Sequence, residues 1–278
     1  MTGAYLSPFA GSNSDCPALH SRLNEGAIVR YGSVALVTNL PFPAFTDLRG
    51  LASNLDGQPA YRRLRSVIER AARTQSCVSD LTQAHLCCDA LDELLPSPRK
   101  VGTLTRSATE AALLQTAVVL YERGTAAAPK QGERGSISIV EQLTPKQRLD
   151  HDALVLLRQR AIAHVYVGEA IEGEIWHRDL LFAVEMEGAW KAAAASNRVQ
   201  FNRATFDRLK RQLPVAVALL TTRFHEHLNR LTAMLNDNPV SVELFQRHQF
   251  DPVEKFGGER AVRQLLAGRL SGKASLLS

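Results

Sequence analysis

Long apolar runs are missing from this chain of 278 residues. The longest uncharged ones, such as Val215-Ala216-Val217-Ala218-Leu219-Leu220, are far too short for a bilayer-spanning helix. The opening stretch MTGAYLSPFAGSNSD has no basic start followed by an apolar run, so no secretory signal is expected. Cysteine is scarce. Cys16, Cys77, Cys87 and Cys88 show no disulfide-framework spacing, and Cys87-Cys88 are neighbours on an expected helix; they read as reduced thiols of a cytoplasmic protein. A phosphate loop, a dinucleotide fingerprint and a nucleophile elbow are all lacking. So are internal repeats and low-complexity tracts.

Neither sign of charge dominates. The net charge of +5 and the pI near 9.2 permit a polyanionic partner without demanding one. The cations are mostly Arg, which suits phosphate recognition but is also what a GC-rich genome writes throughout its proteins. Apolar residues at 45% and charged ones at 22% describe an ordinary globular protein with a real core.

Residues 1–57 read as irregular, with short strands at 27–31 and 33–37. A helical domain is expected over 58–236. Its first helices carry Leu64, Val67, Ile68, Ala71 and Ala72, then Val78, Leu81, His85, Cys88, Leu91 and Leu95, the second ending at Pro96. A third spans about 105–123, with Gly124 placed for a C-terminal cap. Residues 125–138 read as a surface loop. Thr144-Pro145 then opens a helix with a side-chain cap and a first-turn proline, and Asp152 is placed to cap a second start. Alternation of Phe182, Val184 and Met186 with Ala183, Glu185 and Glu187 predicts a strand, with 199–201 pairing back as a small hairpin. A long helix follows over 204–236, striped by Phe206, Leu209, Leu213, Val217, Leu220, Phe224, Leu228, Leu231 and Leu235. The tail, 237–278, carries one short helix near 259–270.

Chemistry concentrates in Arg158-Gln159-Arg160-Ala161-Ile162-Ala163-His164. A guanidinium presents a planar fork of donors to phosphate, and an imidazole moves protons near neutral pH. On an ideal helix six residues advance about 600°, which leaves the two side chains about 120° apart. One straight helix does not close a site with them, whereas two such helices facing across a two-fold axis do, so a homodimer is expected. Arg160 lies four residues before His164 and shares its face. With no ligand in view, the same residues read as His164 hydrogen-bonded on an apolar face and Arg158 paired with Asp150 or Asp152.

The stretch Leu157-Arg158-Gln159-Arg160-Ala161-Ile162-Ala163-His164-Val165 resembles the signature of the HEPN superfamily, an Arg followed after four to six residues by His, often with the same Ile-Ala-His ending. The abortive-infection branch is the nearest, and the resemblance covers roughly residues 103–235. It implies a mainly α fold, an up-and-down helical bundle, here with a small β-hairpin insertion and irregular extensions. It also implies a metal-independent endoribonuclease of phage defence or toxin–antitoxin systems, working as a dimer without a cofactor. His164 would act as general base or acid, Arg158 would stabilise the phosphorane, and the product would carry a 2′,3′-cyclic phosphate. Gln159 stands where the family commonly has Asn or Asp. Gln159 and Arg160 would support RNA binding, and Tyr166 stands where toxin members can be modified by an antitoxin. Many HEPN proteins are instead silent modules for dimerisation or for nucleotide or partner binding. A helical scaffold without a ligand is the third reading.

Other groupings are weaker. Arg198, Arg203, Arg208, Lys210 and Arg211 cluster at the start of the last helix, but Asp207 interrupts them and no aromatic platform lies near, so a solvated face is expected. His225 and His227 diverge by about 200° on a helix and do not share an ion. His85 and Cys88 lack a complementary pair. No metal is expected.

Overall fold

The structure, a computed structural model, describes residues 44–98, 101–126, 134–162, 170–171, 173–199, 201–237 and 242–266. The chain divides into residues 1–43 and 44–278. The first unit, with the strands expected at 27–31 and 33–37, lies outside the described residues.

The second unit begins with β1 (Phe45–Thr46), α1 (Leu48–Asn54) and a 3-10 turn (Pro59–Tyr61). Then come α2 (Arg62–Leu94), α3 (Leu104–Thr125), a 3-10 turn (Val140–Gln142), α4 (Pro145–Leu157) and a π turn (Arg158–Ile162). Four strands follow: β2 (Ala170–Ile171), β3 (Glu174–Ile175), β4 (His177–Met186) and β5 (Ala189–Arg198). The remainder is α5 (Arg203–Asp237), α6 (Val242–Arg247), β6 (Gln249–Phe250), α7 (Pro252–Phe256) and α8 (Glu259–Leu266). The protein is mainly helical, with small antiparallel pairs β1–β6, β2–β3 and β4–β5 among the described residues.

The two helices expected between residues 62 and 95 are one. α2 runs unbroken for 33 residues, about 50 Å. Nothing between Ala72 and Val78 breaks it: the stretch has no Gly or Pro, and the buried Thr74 hydroxyl is satisfied by the Arg70 carbonyl one turn back, at 2.9 Å. α3 returns antiparallel. Its start reaches the end of α2, where Arg106 donates to the carbonyls of Leu95, at 2.9 Å, and Ser97. Its end packs Gly124 against Leu81.

Gly124 therefore lies inside α3 rather than capping it. A Cβ there would meet Leu81 Cγ at 3.2 Å and the Cys77 carbonyl oxygen at 3.4 Å, so glycine sets how closely the helices approach. Gly124→Ala is expected to destabilise the protein by about 1–3 kcal/mol through overpacking, read as a lower thermal midpoint. An unchanged midpoint would show that α2 and α3 can separate freely.

α5, 35 residues long, lies antiparallel to α2 and spans both hydrophobic clusters. Phe206, Leu209, Leu213 and Leu220 join Leu81, Leu91, Leu114, Tyr121 and Leu154 in the larger one. Leu231, near its far end, joins Leu51, Leu55, Leu64, Val67 and Ile68 in the smaller. Pro214 sits within α5 on its exposed side, so the carbonyl that loses its helical donor faces water. α4 docks on the first turns of α5: Gln212 donates to the Gln147 carbonyl at 2.5 Å, and Asp150 receives Arg211 at 2.9 Å.

Three segments differ from expectation. Residues 48–54 are helical, because Asp47 caps the Arg49 amide. The described tail carries three short helices rather than one, and β6 ties it back to β1, where Phe45, Phe250 and Phe256 pack together. The hairpin is longer and returns earlier: β4 pairs with β5, Phe182 opposite Ala193 and Val184 opposite Lys191, rather than with 199–201. Glu187 (φ 55°) and Gly188 (φ 75°) give the two left-handed residues of a I′ turn. The return strand holds Ala192-Ala193-Ala194-Ala195, which has neither β propensity nor alternation to announce it.

Candidate functional site

The site is built where α4 gives way to the π turn, over the last two turns of α3. Thr144 begins α4 with a complete capping box: its hydroxyl accepts from the Gln147 amide, and the Gln147 side chain accepts from the Thr144 amide. α4 then continues without a break, and Asp152 is an internal residue facing Arg148 at 4.0 Å. His151 is buried on the α3 side and lies 2.9 Å from the Tyr121 hydroxyl through Nδ1. Burial pushes the Tyr121 phenol up and the His151 imidazolium down, so both are neutral near pH 7 and the contact buries no charge.

Two turns beyond His151 stands Arg158. Its Nε is 3.3 Å from Glu122 Oε2, and the side chains are 33% and 4% exposed. Neither atom completes a hydrogen bond among the described residues; the approach is an ion pair of the wrong angle for one. Burial raises the Glu122 carboxyl above its ordinary range, and Arg158 opposes that rise. The carboxylate occupies the Nε edge of the guanidinium. Nη1 and Nη2 make no hydrogen bond among the described residues, which leaves donors of the kind that match phosphate oxygens. Asp150 does not pair with Arg158. It serves Arg208 and Arg211 on α5, at 3.4 and 2.9 Å, and the Arg211 hydrogen bond holds its carboxyl below the ordinary range.

The helix expected to run through 158–164 stops being an α-helix at Leu157. The residues Arg158–Ile162 form a π turn, so the rotation calculated for an ideal helix does not apply to them. The Ala161 carbonyl accepts from His177 Nε2 at 2.6 Å, and Arg198 donates to His177 Nδ1 at 3.0 Å. Both contacts are satisfied together with the ring proton on Nε2. The first rung of the β4–β5 ribbon, His177 opposite Arg198, thereby grips the turn that carries Arg158. π turns of this kind recur at functional sites.

Gln159 and Arg160 lie on the exposed side of the turn. His164 and Tyr166 lie outside the described residues. Sequence reasoning missed Glu122 and His177, and placed Arg198 only in the basic cluster. Glu122 carried a signal, a lone carboxylate on the apolar face shared by Val118 and Tyr121; His177 and Arg198 become neighbours only through the hairpin register.

The basic cluster at the start of α5 is taken up by internal pairs. Arg203 meets Asp207 at 3.1 Å, Lys210 meets Asp92 at 2.6 Å, and Arg198 meets Asp179 at 3.7 Å. Cys77, Cys87 and Cys88 are buried free thiols, and desolvation pushes Cys88 up to about 12, which makes them poor nucleophiles. Comparison of the chain with protein-family models, with curated proteins and with solved structures returns no match.

Proposed function

We propose that the chain is a HEPN-type, metal-independent endoribonuclease acting in phage defence or as a toxin, with its site completed across a homodimer. α3, α4 and α5, which cover the stretch of the resemblance, are read as belonging to the up-and-down bundle of that family, with α2 packed against α3 and α5. The observation that carries the reading is the Arg158 guanidinium. It lies against a buried carboxylate through Nε, is partly exposed, and is mounted on a π turn that ends two residues before His164 in the chain.

In this reading His164 takes the proton from a ribose 2′-hydroxyl. The 2′-oxygen forms a bond to phosphorus, and the bond from phosphorus to the 5′-oxygen breaks. The leaving 5′-oxygen receives a proton from the second His164 of the dimer or from water. Arg158 holds the two non-bridging oxygens as charge grows on them, and the products are a 2′,3′-cyclic phosphate and a 5′-hydroxyl. Gln159 and Arg160 contact the RNA from the exposed side of the turn. Tyr166 is the position an antitoxin partner would modify.

A second reading draws on the same ion pair. Glu122 offsets the Arg158 charge, as it would in a catalytically silent HEPN-like module that only dimerises or binds a partner. Cleavage of a structured RNA in EDTA by wild type and by His164→Ala separates the two. Cleavage by wild type alone is expected, and equal activity of the two proteins sinks the ribonuclease reading.

A further inference from the structure

A groove of about 460 Å³ opens between α1 and α2, walled by Arg49, Arg65, Arg73 and Arg134. Its floor is small and aliphatic: Ala52, Ile68 and Ala72. Two carboxylates also line it, Asp56 and Glu69, and both are spent on Arg65. Arg134 is held by Asp80 and by the Ser76 hydroxyl. Arg49 and Arg73 are exposed and their guanidiniums make no hydrogen bond or ion pair among the described residues. The groove thus keeps two uncommitted guanidiniums on opposite elements, facing a space large enough for a ligand.

The lining decides the kind of ligand. An isolated nucleotide site brings a base to a stacking surface or to a set of donors and acceptors. Among the described residues no aromatic side chain lines this groove, and apart from Ser53 the polar groups are charged ends suited to phosphate. Such a surface follows a backbone and is indifferent to bases. The groove also has a direction. Arg65, Glu69, Arg73, Ser76 and Asp80 fall three or four residues apart along one face of α2, a row about 22 Å long. At the end of the row Asp80 holds Arg123 as well as Arg134. Arg123 follows Glu122, the residue that holds Arg158, and consecutive Cα atoms are about 3.8 Å apart. The row, in which Arg65 and Arg73 are the guanidiniums, therefore runs towards the end of α3 that carries Glu122.

We propose that this groove binds the phosphodiester backbone of single-stranded RNA, using Arg49 and Arg73 as its phosphate contacts, and leads the strand towards Arg158. The identity of the polymer rests on the ribonuclease reading; binding in the groove is measured apart from it. The test uses the full chain carrying His164→Ala, so that no RNA is cut, and a fluorescein-labelled single-stranded RNA of about 20 nucleotides titrated between 50 and 200 mM salt. Adding Arg49→Ala and Arg73→Ala is expected to weaken binding about tenfold. It should also make the slope of log K against log salt shallower by about 1.4, two contacts at about 0.7 each for a single strand. The thermal midpoint should stay where it was, because both side chains are exposed.

Unchanged affinity and slope would overturn the proposal. So would tight binding of inorganic triphosphate with the same dependence on Arg49 and Arg73 and no binding of RNA, since the groove would then serve a discrete anion. A wild type that binds RNA through Arg49 and Arg73 yet never cuts it leaves the groove standing and removes the ribonuclease reading.

Discussion

Replacing His164 with Ala is expected to lower the rate of RNA cleavage by about 10² to 10⁴, the range that general acid–base catalysis supplies, without moving the thermal midpoint or the dimer. The expectation has three independent parts. Cleavage by wild type should persist in EDTA, because the proposed chemistry uses only an imidazole and a guanidinium. The product should carry a 2′,3′-cyclic phosphate, because the nucleophile is the neighbouring hydroxyl. The wild-type rate should follow an imidazole titration near neutral pH, and the residual activity of the variant should not. A variant that cuts as fast as wild type would remove His164 from the mechanism. A variant that is slow only because it unfolds would show it in the melting curve.

The second large effect belongs to Arg158→Ala, and its size depends on pH. Glu122 is buried, and burial already raises its carboxyl against the pull of Arg158. Taking Arg158 away removes the opposing cause and lets the folded-state value rise further. A carboxyl whose folded value lies above its unfolded one favours folding below the unfolded value, and that contribution is lost as pH rises through the folded value. The variant should therefore be destabilised more at pH 8 than at pH 5.

Breaking a fully buried pair costs about 3–5 kcal/mol. Here Glu122 can take up a proton and Arg158 is 33% exposed, so about 1–3 kcal/mol at pH 8 is expected, or a few degrees in the melting temperature for a unit of this size. Adding Glu122→Gln to Arg158→Ala should return the pH 8 midpoint towards wild type while cleavage stays absent. Equal destabilisation at both pH values would show that the carboxylate is not what Arg158 neutralises.

Much of the helical frame was legible because its signals are local. The capping pair Thr144-Pro145, the limits of α3 and α5, and the stripe Phe206-Leu209-Leu213-Leu220 all follow from spacing and cap chemistry within a few residues. What was misread depended on partners distant in sequence. Gly124 looked like a cap because glycine ends helices, but its reason is the close approach of Leu81. The return strand was placed at 199–201 because the alanine run of β5 carries no strand signal of its own, and only pairing with β4 makes it one. The same division runs through the site. Arg158 was visible as a motif, whereas its carboxylate, Glu122, comes from another helix and the grip of His177 from a hairpin. Periodicity assumes a regular helix, and the α-helix ends at Leu157, where the π turn begins.

The β4–β5 ribbon has a consequence for motion. Nearly every residue of both strands is exposed or half-exposed, so its ten cross-strand pairs draw almost nothing from the helical core, and a two-stranded hairpin alone is marginal in water. It should therefore unzip from the Glu187-Gly188 tip as a separate low-energy opening. In hydrogen exchange the amides of Leu181 to Ala194 should lose protection long before those of α2. Unzipping that stops short of His177 and Arg198 leaves the π turn gripped. Opening that runs through them releases the Ala161 carbonyl, and the turn carrying Arg158 then becomes free to move on the timescale of the ribbon.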